Sequence, residues 1–210
     1  MIKVAIVDDH PLLREGVKKI LESESDIEVI AQAENVSGLV SLTENTDLDL
    51  LILDISLPGR SGLDALAEIR KKRPQLPVLV LSMHPEDRYA LRALKAGASG
   101  YVTKASAAEE LLGAVRKVCS GGRYVSRAVA EMLAVDLARP FEKLPHENLS
   151  NREIQVLCMI AAGKAVTEIA TEISLSVNTV NTYRARILGK LGMRSNAELI
   201  RYAIEHKLLD

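Results

Sequence analysis

Long apolar runs are missing from this chain: nothing in its 210 residues approaches the roughly 20 consecutive apolar positions of a membrane-spanning helix. Cysteine is scarce as well. Cys119 and Cys158, the two present, stand far apart in apolar helical patterns, with neither metal-ligand spacing nor a disulfide framework. They read as small core hydrophobes in a reducing compartment. No internal repeat or low-complexity segment occurs, and Met1-Ile2-Lys3 leads straight into an apolar stretch, so no signal peptide is expected. These absences point to a cytoplasmic protein of one or two domains without a membrane partner.

A strong excess of one charge is also missing. The net charge is −1; residues 1–121 hold 15 basic and 18 acidic side chains, and residues 122–210 hold 12 and 10. That balance does not by itself announce a nucleic-acid binder. One local absence is sharper: residues 176–194 contain Arg184, Arg186, Lys190 and Arg194 and no acid.

What is present is organised around the run Leu50-Leu51-Ile52-Leu53-Asp54-Ile55-Ser56-Leu57-Pro58-Gly59. Continuous apolar residues predict a strand buried on both faces, as in a parallel sheet covered by helices. Asp54 closes that strand, and Pro58-Gly59 turn the chain toward a helix over residues 62–72. A carboxylate in this place is a metal ligand, a nucleophile or a cap for the loop. Further apolar strands are predicted over residues 3–7, 27–31, 76–82 and 100–103. They alternate with helices over 11–23, 36–45, 85–96 and 107–120. The first of these helices carries Leu12, Leu13, Val17, Ile20 and Leu21 as its apolar stripe. The alternation predicts an α/β doubly wound, five-stranded parallel sheet.

In such a sheet the strand ends share one rim. Asp8 and Asp9 follow the first strand, Asp54 the third, Ser82 ends the fourth and Lys104 follows the fifth. Three carboxylates gathered there repel one another unless a cation neutralises them, and oxygen donors with partial exposure favour Mg²⁺. A lysine and a hydroxyl opposite would complement a phosphoryl group on Asp54. His10 and His84 lie near this rim and read as solvated loop residues; Gly97, Ala98 and Gly100 read as a helix stop and turn. Met83 carries no signal.

Residues 122–148 form a linker in this reading, with a short helix over 126–138 and a polar tether over 139–148. Residues 149–210 form a second, all-helical domain. Ser150 and Glu153 make a capping box before the stripe Ile154, Val156, Leu157, Ile160 and Ala161, which Gly163 stops. A short helix over 167–173, the turn Ser174-Leu175-Ser176 and a third helix over 177–191 give a helix-turn-helix. On the third helix Val180, Ile187 and Leu191 face inward. Asn178, Asn181, Thr182, Ala185 and Gly189 fall opposite, with Arg186 at the flank and Lys190 nearby, a slender polar face suited to a major groove. A fourth helix over 196–206 offers Leu199, Ile200, Ala203 and Ile204 as a seam between copies.

Asp8-Asp9, Asp54, Ser82, Tyr101 and Lys104 together resemble the receiver domain of two-component systems, over residues 1–121. The resemblance implies a flavodoxin-like fold in which Asp54 accepts phosphate from a sensor histidine kinase. It also implies that Mg²⁺ is held by Asp9, Asp54, the Ser56 carbonyl and Asp8, that Ser82 and Tyr101 form the switch pair, and that Lys104 binds the phosphate. Tyr101 also admits a plain reading as a strand-edge aromatic. The pattern Leu149-Ser150-x-Arg152-Glu153, Thr179-Val180 and Lys190-Leu191 resembles the LuxR-type DNA-binding domain. The two halves together are similar to the NarL/FixJ class of response regulators. Asn178 and Asn181 stand where that family often has lysine, and Tyr183 where histidine is common, so its base preference does not carry over.

The implied protein is a phosphorylation-controlled transcription regulator that dimerises and binds double-stranded promoter DNA, with the first domain obstructing the reading helix before phosphorylation. Two rivals remain: a Mg²⁺-dependent phosphohydrolase with Asp54 or Asp8 as nucleophile, and a module that binds a protein through its helical domain.

Overall fold

Alternation along the strands decides how the first half is layered. The computed structural model describes residues 1–39, 47–58, 61–83, 86–106, 108–138, 144–206 and 208–209, in two units, Met1–Ala138 and Arg139–Asp210. In the first unit, β1 (Ile2–Val7), β2 (Ile27–Ala33), β3 (Leu50–Leu53), β4 (Val78–Ser82) and β5 (Gly100–Thr103) form one parallel sheet in the order β2-β1-β3-β4-β5. Ala5, Val7, Leu51, Leu53, Val78, Val80 and Tyr101 point to one face, and Val4, Ile6, Leu50, Ile52, Leu79, Leu81 and Val102 to the other. Each set is buried, because a parallel sheet has helices on both sides.

On the second face lie α1 (Pro11–Glu22) and α4 (Ala108–Cys119); α2 (Gly62–Lys72) and α3 (Glu86–Lys95) cover the first. Residues 36–39 are helical and bring Leu39 into the first core; the rest of the helix expected over 36–45 lies outside the described residues. β2 runs two residues further than the alternation suggested, to Ala33. Leu12 is a correction: it is 91% exposed. At 3.6 residues per turn it lies half a turn from Leu21, so it cannot share the stripe of Leu13, Val17 and Ile20.

The helix assigned to the linker belongs to the first unit. This α5 (Arg127–Ala138) buries Val129 completely in the core that holds Tyr101, with Leu133 packed against it. Lys95 of α3 pairs with Asp136 at 2.8 Å, and Ser126 hydrogen-bonds to Glu86. Just before α5, Tyr124 donates to the Ser99 carbonyl at 3.0 Å and accepts from the Tyr101 amide at 3.3 Å, so it lies along β5. Gly100 permits that approach, since a Cβ there would meet the Tyr124 carbonyl at 2.8 Å.

Among its described residues the second unit contains a 3₁₀ turn (Pro145–Asn148) and four helices, α6 (Asn151–Ala161), α7 (Val166–Glu172), α8 (Val177–Leu191) and α9 (Asn196–Glu205). The turn ends the expected tether early: His146 Nδ1 lies 2.9 Å from the Tyr202 hydroxyl of α9. Residues 139–143 of the tether lie outside the described residues. Both halves of the Ser150–Glu153 capping box are made. Ile169, Ala170, Ile173, Val180, Ile187 and Leu199 close one core. Leu199 is spent there and Ala203 is fully buried, which reduces the expected seam on α9 to half-buried Ile200 and exposed Ile204.

Two glycines give opposite expectations for stability. A Cβ on Gly62 would sit 2.3 Å from the Asp54 carbonyl oxygen and 2.7 Å from Ile55 Cα, both backbone atoms, whereas at Gly16 within α1 it would meet nothing within 4 Å. Gly62→Ala should therefore cost about 1–3 kcal/mol as an overpacking change. Gly16→Ala should add about 0.5–1 kcal/mol through helix propensity. Urea denaturation of both variants checks the pair of signs.

Candidate functional site

Three backbone hydrogen bonds assemble the rim. The Asp8 amide donates to the Ala33 carbonyl at 3.1 Å, Asp54 to Val7 at 2.8 Å and Lys104 to Ser82 at 2.8 Å. Residues one step beyond neighbouring strands are thereby held side by side. Lys104 Nζ lies 2.7 Å from both Asp8 Oδ2 and Asp54 Oδ2, and no more than 3% of any of these three side chains is exposed. The second oxygen of Asp54 accepts from the Ser56 amide at 2.9 Å, and that of Asp8 from the His10 amide at 2.8 Å. Ser82 is fully buried at the end of β4. Tyr101, on the outer strand β5, is fully buried too, in one core with Tyr89, Ala90 and Ala93 of α3.

Burial is the largest influence on Asp54 and lifts its carboxyl above the ordinary range, aided by the nearby charge of Asp8; Lys104 and the Ser56 amide offset only part of this. For Lys104 burial is again the largest influence and pushes down, but Asp54 and Asp8 outweigh it and hold the ammonium above its ordinary value. Asp9 adds a third carboxylate whose Oδ1 is buried without a hydrogen bond, though His10 Nδ1 is 2.9 Å away. His84 lies outside the described residues.

Asp8, Asp9, His10 and Asp54 each bring one donor atom within 4.8 Å of the others. Carboxylate oxygens in excess of the single lysine, one of them buried and unbonded, fit a small hard dication.

The predicted reading face lies on α8. Asn178, Asn181, Thr182, Ala185, Arg186 and Gly189 are all exposed, while Val180 and Ile187 are fully buried behind them. Ser176 caps the helix by accepting from the Thr179 amide at 3.0 Å, and Gly192 ends it in the left-handed conformation. Lys190 is turned away from that face: its ammonium is 2.6 Å from Glu153 Oε2. Burial is the largest influence on Glu153 and raises it, yet the Lys190 and Ser150 hydrogen bonds and the lysine charge together hold its carboxyl below the ordinary range. Arg184 donates to Asn196 Oδ1 at 2.6 Å, which ties α8 to α9 and leaves Glu172 to Lys164.

Sequence reasoning missed Arg152, which is buried and donates to the Ile173 carbonyl at 2.9 Å, joining α6 to the end of α7. Its place in the pattern with Ser150 and Glu153 was visible, but its partner lies 21 residues away. Cys119 is half-buried; burial, then the charge of Asp49, pushes its thiol up to about 11.

The titration of Asp54 has a defined sign. With the folded value raised, the folded chain holds this proton more tightly than the unfolded chain does. The resulting stabilisation is complete below the ordinary carboxylate range and is lost as pH rises through the raised value. Wherever the group is ionised in the folded chain, it works against the fold. Asp54→Asn, which leaves Lys104 paired with Asp8, should raise the urea midpoint at neutral pH in EDTA, and the gain should shrink as pH falls toward the ordinary carboxylate range. A lower midpoint at neutral pH would mean that the Lys104 pairing outweighs the cost of burial.

Comparison with known proteins matches a separate family to each half of the chain. Residues 4–116 match the response regulator receiver domain, and residues 147–203 match the bacterial regulatory proteins of the luxR family. Response regulator GacA of Pseudomonas aeruginosa is 37% identical over 211 residues, covering 100% of this chain and 99% of its own. Response regulator UvrY of Escherichia coli is 36% identical over 209 residues, covering 99% and 96%. Among solved structures, RcsB of Salmonella enterica serovar Typhimurium, bound to the promoter P1flhDC with the phosphomimetic BeF₃⁻, is 28% identical, with a TM-score of 0.60 over 96% of this chain and 97% of that one. The response regulator ChrA of a haem-sensing two-component system is 30% identical, with a TM-score of 0.52 over 99% and 98%. On these matches the chain belongs to the response regulators, as a NarL/FixJ-type protein that joins a receiver domain to a LuxR-type DNA-binding domain and regulates transcription.

Proposed function

We propose that Asp54 accepts a phosphoryl group from a sensor histidine kinase, and that this modification controls promoter binding by α8. The observation that carries the reading is the Asp54 carboxylate at the carboxyl end of β3, bonded to Lys104 at 2.7 Å and to the Ser56 amide at 2.9 Å. A carboxylate oxygen attacks phosphorus, the bond from phosphorus to the donor's imidazole nitrogen breaks, and an acyl phosphate forms. Lys104 then faces the new negative charge. When Mg²⁺ is bound by Asp8, Asp9, Asp54 and the Ser56 carbonyl, it supplies charge neutralisation on the phosphoryl oxygens. A phosphohydrolase would use the same carboxylates for turnover; here the family assignment favours a single transfer followed by signalling.

Ser82 and Tyr101 shift in response to the phosphoryl group. Tyr101 shares its core with Tyr89 of α3 and Val129 of α5, and α5 leads into the tether, so a movement of Tyr101 is felt at the start of the connection between units. RcsB, a relative, binds DNA as dimers, and Ile200 with Ile204 on α9 offer this chain an apolar patch for the same use. On α8 the reading set is Asn178, Asn181, Thr182, Ala185 and Arg186. Lys190 is left out of it because its ammonium is committed to Glu153.

Labelling with acetyl phosphate tests the nucleophile: Asp54→Asn should incorporate none, and stable labelling at another carboxylate would overturn the assignment. Operator titration tests the helix. Asn181→Ala should cost about 1–3 kcal/mol and relax sequence preference. Arg186→Ala should weaken all sequences alike and lower the salt slope by about one unit. Unchanged operator affinity in both variants would exclude α8 from the groove.

A further inference from the structure

His10 stands in the acidic cluster without a role in the phosphoryl chemistry described above. Its position is closely set. The following Pro11 confines His10 to extended backbone, observed at φ −93° and ψ 102°, where it is the N-cap residue of α1 yet makes no side-chain cap. Its amide is fixed on Asp8 Oδ1 at 2.8 Å. The imidazole turns back over the rim, so that Nδ1 lies 3.2 Å from Asp8 Oδ1 and 2.9 Å from Asp9 Oδ1.

Those oxygens are the ones Lys104 leaves alone, since it takes Oδ2 of both Asp8 and Asp54. Asp9 Oδ1 is the buried oxygen without a hydrogen bond. Spacing also fits. Ligand atoms on neighbouring vertices of an octahedron with bonds of about 2.1 Å are about 3.0 Å apart. The two nitrogen–oxygen distances fall on either side of that value. The ring is 59% exposed on the side open to solvent, where a partly hydrated ion would arrive.

We infer that His10 supplies Nδ1 as a ligand to the divalent ion of the phosphoacceptor site, giving the site a preference for first-row transition ions such as Mn²⁺ over Mg²⁺. The chemistry is direct. Mg²⁺ takes oxygen donors and gives up its waters reluctantly, whereas imidazole suits first-row transition ions. Coordination through Nδ1 leaves the ring proton on Nε2. The inference rests on the metal reading proposed above.

Pulsed electron paramagnetic resonance on the full chain with substoichiometric Mn²⁺ tests it. Modulation from a directly bound ¹⁴N should appear, should change to the ¹⁵N pattern when histidine is ¹⁵N-labelled, and should vanish in His10→Ala. Calorimetry with Mn²⁺ and Mg²⁺ should show His10→Ala losing about tenfold in Mn²⁺ affinity, and about twofold or less for Mg²⁺. Mn²⁺ bound to the wild-type chain without nitrogen modulation would overturn the inference while leaving the metal reading standing. A nitrogen signal that persists in His10→Ala would also overturn it. Failure of the chain to bind either ion would remove both.

Discussion

An ammonium shared by two buried carboxylates sets the terms for the first unit. Taking Asp8, Asp54 and Lys104 out of water costs several kcal/mol per ion, and their attraction offsets this only where the geometry is good and the remaining lone pairs are bonded. Here Lys104 reaches both acids at 2.7 Å, and the Ser56 and His10 amides take the other oxygens. The sheet makes this possible. Parallel strands in register deliver their last residues to one edge, and amide bonds from Asp8, Asp54 and Lys104 to neighbouring strands keep them there. Charge remains in excess even so, because Asp9 brings a carboxylate that the lysine does not reach. A site left electrostatically incomplete by its own fold suits a cation, and it gives up stability for that readiness.

The second unit handles its buried charges the other way. Glu153 is held by the Lys190 ammonium and the Ser150 amide, and Arg152 by the Ile173 carbonyl and Gln155. These bonds join α6 to the ends of α7 and α8, and so set the angle at which α8 is presented. Its outer face is left with small and amide side chains, with Arg186 at the flank. Rigidity behind and slender polar groups in front are what groove insertion asks of a helix.

Periodicity made most of this legible in the sequence. Continuous apolar runs such as Leu50–Leu53 named the buried strands, and the residues that follow them named the rim, because strand polarity in an alternating β/α chain is nearly forced. The capping box at Ser150 is a local device and was equally readable. What local patterns could not show was which partner each long side chain chooses. Lys190 and Arg186 look alike in a row of basic residues, yet one turns back to Glu153, 37 residues earlier, and the other stays outside. Val129 carried no sign of its destination, since an amphipathic helix after a glycine pair reads the same whether it docks or spans a gap. Leu12 was misplaced by counting apolar residues without turning the helix through its full angle.

The pairing of Tyr124 with β5 reaches further than the packing of α5. β5 is an outer strand, and the peptide groups of such a strand are an open template for another chain's backbone. The Tyr124 main chain already occupies Ser99 and Tyr101 there. A neighbouring copy arriving at this margin meets backbone that is spoken for, so strand-on-strand aggregation is discouraged. Any docking at this margin is left to side chains, and contacts of that kind are more readily made and broken than a strand ladder.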